Sequence, residues 1–314
     1  MTQDVTFVMY HYVRDRGRHR FPRVNALDKA EFDGQLDYIA SRYTVIGVHR
    51  ALEALAGRAP LPDNACVLTF DDGLLDHYET VFPALRKRGW TGAFYPIAKT
   101  TWQDVVVDVH KIHFILASVE DEKMLYDRVL ALLPELRKTE DFPDDPELLR
   151  VWAHPNRFDT AETIFVKRAM QTALPPLARR HLVDCLFDEF VPDDEAVLSR
   201  ETYLRPLHIR EMVDGGMEFG GHGYSHEWLG EIDPRVLDQE LALTVDFLAD
   251  ITGKQDGWVM CYPSGSYSDL VIEKLKLLGF SGGLTTNVRL AGRGDDPFEI
   301  PRIDTKDLPM SAAG

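Results

Sequence analysis

Two adjacent carboxylates, Asp71 and Asp72, end the apolar run Val67-Leu68-Thr69-Phe70 and are followed by Gly73. Far downstream, His222 and His226 sit four positions apart in the segment Glu218-Phe-Gly-Gly-His222-Gly-Tyr-Ser-His226. One Asp with two His is an ordinary open metal site for a hydrolase, and the second Asp is left over for proton transfer. The leading expectation is therefore a metal-dependent amide or ester hydrolase. Each half has a plainer meaning alone. Asp-Asp-Gly after a strand is usually a turn, and His-x-x-x-His is most often two unrelated surface histidines. Both segments, however, fall where a strand-like run meets a Gly-containing loop. Ligands of α/β folds collect at such carboxyl ends of strands.

The elements that must position these residues alternate. Val5 to Tyr10 reads as a buried strand ending at His11, and Asp28 precedes a helical pattern through Phe32, Leu36 and Ile39. Cys66 to Phe70 is a second buried strand, followed by a helix carrying Tyr78, Val81, Phe82 and Leu85 and stopped by Gly89. Gly92 to Ala98 reads as the next strand. From about Thr101 to Arg200 the pattern is helical (Val105–Val119, Lys123–Leu136, Pro176–Phe187), broken by an acidic stretch from Glu140 to Pro146. This stretch reads as an insertion because alternation resumes after it. It is expected to cover one side of the site because it leaves after the Gly92–Ala98 strand, at the end where the motifs gather. Strand-like runs at 217–220, 258–262, 280–285 and 298–303 are separated by helices, one opened by Asp233-Pro234 and closed by Gly253. Repeated strand–helix units imply a parallel sheet curled into a barrel. The expectation is one α/β catalytic domain over residues 1–314, with a mostly helical insertion at about 101–200.

Composition narrows the partners. The chain has 314 residues, 45% of them hydrophobic, enough to bury a full core. Its 35 basic and 51 acidic residues give a formal net charge of −16, which disfavours nucleic acid and anionic lipid surfaces as partners. No apolar run approaches the roughly 20 residues of a membrane span. The N-terminus lacks a basic region and a long apolar stretch, so no secretory signal is expected. Cys66, Cys185 and Cys261 are odd in number and far apart, which suits reduced thiols and a cytoplasmic location.

With Thr69-Phe70-Asp71-Asp72-Gly73, His222-Gly-Tyr-Ser-His226 and Tyr262-Pro263-Ser264-Gly265 in this order, the chain resembles the polysaccharide deacetylase superfamily, carbohydrate esterase family 4. The start Met9-Tyr10-His11-Tyr12-Val13 is similar to the branch that includes the poly-N-acetylglucosamine deacetylases. The resemblance covers residues 5–100 and 205–305. It implies a distorted (β/α)7 barrel, a metal held by Asp72, His222 and His226, and Asp71 as general base. It points to His11 as general acid. It implies one divalent cation, with zinc the leading expectation and cobalt, nickel or iron alternatives. The substrate it implies is an acylated amino sugar. Without an export signal, a cytosolic nucleotide-linked, lipid-linked or short saccharide is expected. An oxyanion would be met by the cation and by a backbone N–H near Tyr262.

Three departures stand out. The family's third motif often has Arg two positions before its Pro, and here that residue is Cys261; Arg302 is the candidate replacement. The hydroxyl that usually follows the first His of the second motif is displaced to Ser225, with Gly223 in its place. The C-terminal Leu-His element is absent from Phe298-Glu-Ile-Pro-Arg302-Ile-Asp304. Among the remaining residues, Trp228 could stack on a sugar ring or pack in the core. His110 and His113 read chiefly as structural histidines of a helix. Arg14, Arg16, Arg18 and Arg20 form a loop-like run that is either solvated or a grip for an anionic substrate group. The competing functions are a non-sugar amidase or deformylase on the same scaffold, and a carbohydrate-binding protein without catalysis.

Overall fold

The computed structural model describes residues 4–157 and 159–311. Seven strands succeed one another in chain order: β1 (Thr6–Tyr10), β2 (Ala65–Asp72), β3 (Ala93–Pro96), β4 (Glu218–Phe219), β5 (Val259–Cys261), β6 (Gly282–Leu284) and β7 (Ile303–Asp304). β7 pairs with β1, β1 with β2, β2 with β3 and β3 with β4, all in parallel. β5 and β6 form a separate parallel pair. Single parallel bridges, Gly221 to Met260 and Leu284 to Ile300, link that pair to the two ends of the longer sheet. The β5–β6 pair therefore meets the longer sheet only through these two bridges, in the strand order of a seven-strand α/β barrel.

The alternation of side chains explains which residues reach the interior. Along β2, Cys66, Leu68 and Phe70 pack outward with Phe32, Leu36 and Ile39 of the helix Lys29–Arg42. Ala65 and Val67 pack with Phe7, Tyr95, Val259, Cys261, Leu284 and Ile300 from the other strands. Thr69 and Asp71 share the parity of this second set, so the ladder itself aims Asp71 inward. Helix starts follow local chemistry. Asp28 accepts from the Ala30 N–H while Glu31 accepts from the Asp28 N–H, a capping box that opens Lys29–Arg42. Asp233 caps Pro234–Thr252, and Gly253 ends it at φ 66.

Several elements differ from the sequence reading. The strand expected to run to Ala98 stops at Pro96, because Ala98–Trp102 turns into a short helix. The helix Val48–Leu55 and the two-residue strands Val13–Arg14, Leu27–Asp28 and Thr44–Val45 went unread. Two-residue strands carry too little alternation to be seen in a sequence.

A second compact unit consists of Arg16–Asn25 and Val106–Glu195. It contains the helices Asp108–Ser118, Glu122–Leu136, Asp145–Trp152, Ala161–Arg168 and Pro176–Phe190, and no strand among its described residues. The segment Arg16–Asn25 joins it through Phe21, whose ring lies 4.8 Å from that of Phe114, and through Arg23, which donates twice to the Ala117 carbonyl. His110 is fully buried in this unit with its ring 5.7 Å from that of His113. Arg14 is buried against Asp76 in the barrel unit, at 2.8 Å, and Arg20 pairs with Asp193 at 2.6 Å.

Gly73 carries a strong local constraint. It holds φ 66, and a Cβ there would lie 2.5 Å from the Pro96 Cβ, whereas Gly89 has the same φ and open space. Gly89→Ala should cost only the left-handed backbone penalty, roughly 1–2 kcal/mol. Gly73→Ala should cost more, as the turn after Asp72 and the end of β3 are forced apart. Urea midpoints of the two variants check this, and equal losses would refute it.

Candidate metal and catalytic site

Asp71 and Asp72 are consecutive, so on a regular strand they would point to opposite faces. A turn must therefore bring them together, and Gly73 is the residue suited to it. The structure starts it one residue earlier: Asp72 itself adopts φ 74, then Gly73 φ 66. Asp is among the few non-glycine residues that tolerate this region, because its short side chain bonds locally. The turn brings both carboxylates to the same end of the barrel, one buried beside Arg302 and the other facing two histidines.

His222 and His226 come from the loop after β4. The His222 Nε2 lies 3.2 Å from Asp72 Oδ1, and the His226 Nε2 lies 3.6 Å from the same oxygen. The two rings are 4.9 Å apart at 73°. His222 Nδ1 donates to the Cys261 carbonyl at 2.8 Å, since a carbonyl can only accept. A neutral His222 then presents a bare Nε2 lone pair to a carboxylate oxygen 3.2 Å away. Two acceptors at that separation repel unless a positive charge lies between them. Burial opposes a charge on His222, yet Cys261, Asp72 and Asp71 outweigh it and favour the cationic ring well above the ordinary histidine range. A divalent cation answers the same electrostatic demand, and its ligands would be Asp72, His222 and His226, whose ligand atoms all lie within 4.8 Å of one another.

A second grouping, Asp71, His222 and Cys261, is equally close in space. Its chemistry is wrong for a metal. Burial pushes the Cys261 thiol up, which disfavours the thiolate a metal would need. Both oxygens of Asp71 are already engaged by Arg302.

That engagement is a fork. Arg302 Nη1 and Nη2 each donate to one Asp71 oxygen at 2.8 Å, and both side chains are almost wholly buried. Arg302 is fixed in turn: Nε donates to the Thr285 carbonyl at 2.9 Å and Nη1 to Thr69 Oγ1 at 3.1 Å. Thr69 Oγ1 donates onward to the Val8 carbonyl at 2.7 Å. Burial alone would raise the Asp71 pKa. The charge and hydrogen bonds of Arg302, with His11 and His222 nearby, overcome this and hold it at about 2. Arg302 therefore lies where a residue orienting Asp71 must lie, and its burial removes it from direct contact with a substrate.

His11 follows β1, and its Nε2 is 3.8 Å from Asp71 Oδ2 with the side chain 43% exposed. Its backbone is held by His77, at the start of the helical segment after β2. His77 is fully buried between Phe70 and Phe94, and its Nε2 donates to the His11 carbonyl at 3.0 Å. Burial lowers the His77 pKa to about 4, so the ring is neutral. The adjacent Asp76 accepts from the Val13 N–H and from Arg14 Nε. The pair 76–77 thereby ties the segment after β1 to the turn after β2.

The remaining candidates are not brought in. Tyr262 spends both its donors: the N–H on the Leu284 carbonyl and the hydroxyl on the Phe298 carbonyl. An oxyanion contact from Tyr262 itself is thus a correction to make. Pro263 has no N–H, and the next one belongs to Ser264, a left-handed residue at φ 53. Trp228 is partly buried, and its carbonyl accepts from the Glu231 N–H. No contact among the described residues joins its ring to the site. Glu240 was missed entirely. It lies on Pro234–Thr252 and accepts from the Tyr224 and Ser225 N–H groups and the Ser225 hydroxyl. The signal was present: Glu240 occupies the apolar stripe Leu237, Leu241, Leu248, where a carboxylate needs partners.

The Asp71 shift has a measurable consequence. A folded value of about 2, below the ordinary carboxylate value, contributes stability that is complete above about pH 4 and lost as pH falls toward 2. Wild type should lose more urea stability across that window than Asp71→Asn. Parallel profiles of the two proteins would refute the assignment.

Comparison with known proteins finds deacetylases among those this chain resembles. The polysaccharide deacetylase family matches residues 174–283, a span that includes the histidine loop and Cys261–Gly265. Poly-beta-1,6-N-acetyl-D-glucosamine N-deacetylase of Escherichia coli K12 is 38% identical over 66 residues, which is 21% of this chain and 10% of that protein. Among solved structures, the Streptococcus pyogenes deacetylase PplD in complex with acetate superposes with a TM-score of 0.61 at 18% identity, over 100% of this chain and 96% of that one. IcaB from Ammonifex degensii superposes with a TM-score of 0.57 at 20% identity, over 96% and 91%. At these identities the likeness is one of fold. No helix among the described residues is long and apolar enough to cross a membrane. The chain is thus similar to the polysaccharide deacetylase family over the histidine loop, and it shares its fold along its length with deacetylase structures.

Proposed function

We propose that the protein is a metal-dependent N-deacetylase acting on an acetylated amino sugar. The observation that carries this reading is the convergence of Asp72, His222 and His226 beside an Asp71 held ionised by Arg302. The naming of the Escherichia coli relative for N-acetylglucosamine deacetylation supports the substrate class.

In this reading Asp72, His222 and His226 hold one divalent cation, zinc or a close congener. Such an ion, when bound, polarises an acyl oxygen and lowers the pKa of water toward neutrality. Asp71 accepts a proton from the attacking water as the new C–O bond forms. Arg302 keeps both Asp71 oxygens oriented and the carboxylate ionised, so the base is ready at any pH well above 2. His11, in its protonated form, gives its proton to the nitrogen as the C–N bond breaks, since an amide nitrogen leaves badly as an anion. The Ser264 N–H is the backbone donor left to meet the developing oxyanion. His77 and Asp76 keep His11 within reach of the reacting amide without touching it.

The roles of the two carboxylates separate experimentally. His222→Ala and Asp72→Asn should lose stoichiometric zinc. Asp71→Asn should keep zinc and lose acetate release from β-1,6-linked N-acetylglucosamine oligomers by on the order of 10²-fold or more. Equal zinc loss in Asp71→Asn and Asp72→Asn would reverse the roles. Nucleotide-linked and lipid-linked N-acetyl sugars and N-formyl substrates belong in the same assay, and activity confined to non-sugar amides would overturn the sugar reading.

His11 is tested by pH. Wild type should show a bell in kcat/KM whose upper limb reports loss of the acid's proton. In His11→Gln that limb should vanish while zinc content stays normal. An unchanged upper limb would hand the acid role to another residue.

A further inference from the structure

The loop that delivers the two histidines is built on an unusual backbone. Gly223 holds φ 71 and His226 holds φ 65, the second a rare state for a residue with a side chain. Such a conformation persists only where its surroundings over-determine it. His222 has its own anchor in the Cys261 carbonyl. His226 reaches Asp72 from the far end of the loop, beyond Tyr224 and Ser225.

Glu240 grips that part of the loop. Its Oε2 accepts from the consecutive N–H groups of Tyr224 and Ser225 at 3.0 and 2.9 Å, and its Oε1 accepts from Ser225 Oγ at 2.5 Å. Consecutive N–H groups converging on one oxygen form a small anion cradle. The carboxylate is 6% exposed and is carried on the 19-residue helix Pro234–Thr252, a rigid support. From the other side, the Lys99 N–H donates to the Tyr224 carbonyl at 2.8 Å. The loop is thus pinned at Tyr224 and Ser225, directly before His226.

We propose that Glu240 is a positioning residue for the metal: by holding Tyr224 and Ser225, it fixes the backbone from which His226 reaches Asp72, and so sets the affinity for the cation. This rests on Asp72, His222 and His226 being the ligands. Groups that orient metal ligands typically account for 10–100-fold in metal affinity when removed. The grip has three bonds of two kinds, and the variants separate them. Glu240→Ala removes all three. Glu240→Gln keeps the side-chain volume but offers one acceptor oxygen in place of two. Ser225→Ala removes only the hydroxyl bond.

The test is zinc affinity of the full chain, measured by competition with a chromophoric chelator, beside the melting temperature of each metal-free protein. Glu240→Ala should bind zinc about 10–100-fold more weakly than wild type. Glu240→Gln should recover part of that loss, and Ser225→Ala should fall closest to wild type. If Glu240→Ala fails to fold, Glu240→Gln and Ser225→Ala still rank against wild type. Wild-type zinc affinity in the folded Glu240 variants, with only a lower melting temperature, would overturn the proposal and leave Glu240 a structural residue. His222→Ala is the control for the underlying reading. Unchanged binding there would mean the ligands are wrong, whereas lost binding there with unchanged binding in Glu240 variants would mean only the positioning role is wrong.

Discussion

The fork between Arg302 and Asp71 is the interaction on which the interior of this barrel depends. It lies at the level where the apolar filling of Phe7, Val67, Val259 and Ile300 gives way to polar groups. A buried carboxylate without a partner would take up a proton or force the strands apart. A buried guanidinium cannot be neutralised at all. Each therefore requires the other, and the geometry that satisfies both is narrow. Arg302 precedes β7, donates to Thr285 just after β6, and reaches Thr69 and Asp71 on β2. One side chain thereby fixes three staves relative to one another and sets the ionisation of the group proposed as the base.

This arrangement also explains how two adjacent acids come to behave differently. Both are buried, and both sit at one strand end. Asp71 keeps the inward direction that alternation along β2 assigns, and meets Arg302. Asp72 leaves the strand through a left-handed turn and meets two imidazoles. The first has its charge compensated within the protein. The second faces histidines whose lone pairs only a proton or a metal can reconcile with it. The different surroundings of the two carboxylates thus arise from one backbone angle at Asp72, with Gly73 beside it leaving no room for a Cβ.

Much of this was legible in the chain because the periodicities are strong. Caps at Asp28 and Asp233 and left-handed stops at Gly89, Gly253 and Gly279 bound helices as their chemistry requires. Asp71, Asp72, His222 and His226 could be read because residue type and the end of an apolar run coincide. What stayed hidden depends on contacts remote in sequence. Nothing local to His77 says that it is buried between two phenylalanines and bonded to a carbonyl 66 positions earlier. Arg302 was legible only through the Arg that Cys261 displaces, since nothing local to it chooses Asp71 among 51 acidic residues. The Tyr262 N–H serves the ladder to Leu284, a pairing that no local pattern around Tyr262 reveals. Glu240 was readable, as a charge on an apolar stripe, but went unread.

The supports behind the site share one logic, which is to anchor each functional side chain from a different element. Cys261 at the end of β5 holds His222 through a carbonyl, while Glu240 on the helix before β5 holds the loop of His226. His77 and Asp76, after β2, hold the backbone around His11. Arg302 and Thr69 hold Asp71. No two of these anchors lie on the same regular element as the residue they serve, Thr69 and Asp71 excepted. Such cross-bracing is what keeps groups of opposite electrostatic demand, an ionised base and a histidine pair facing a carboxylate, within a few ångströms of each other. The left-handed residues Asp72 and His226 mark where the bracing works hardest, because their backbones adopt conformations that a free chain would leave.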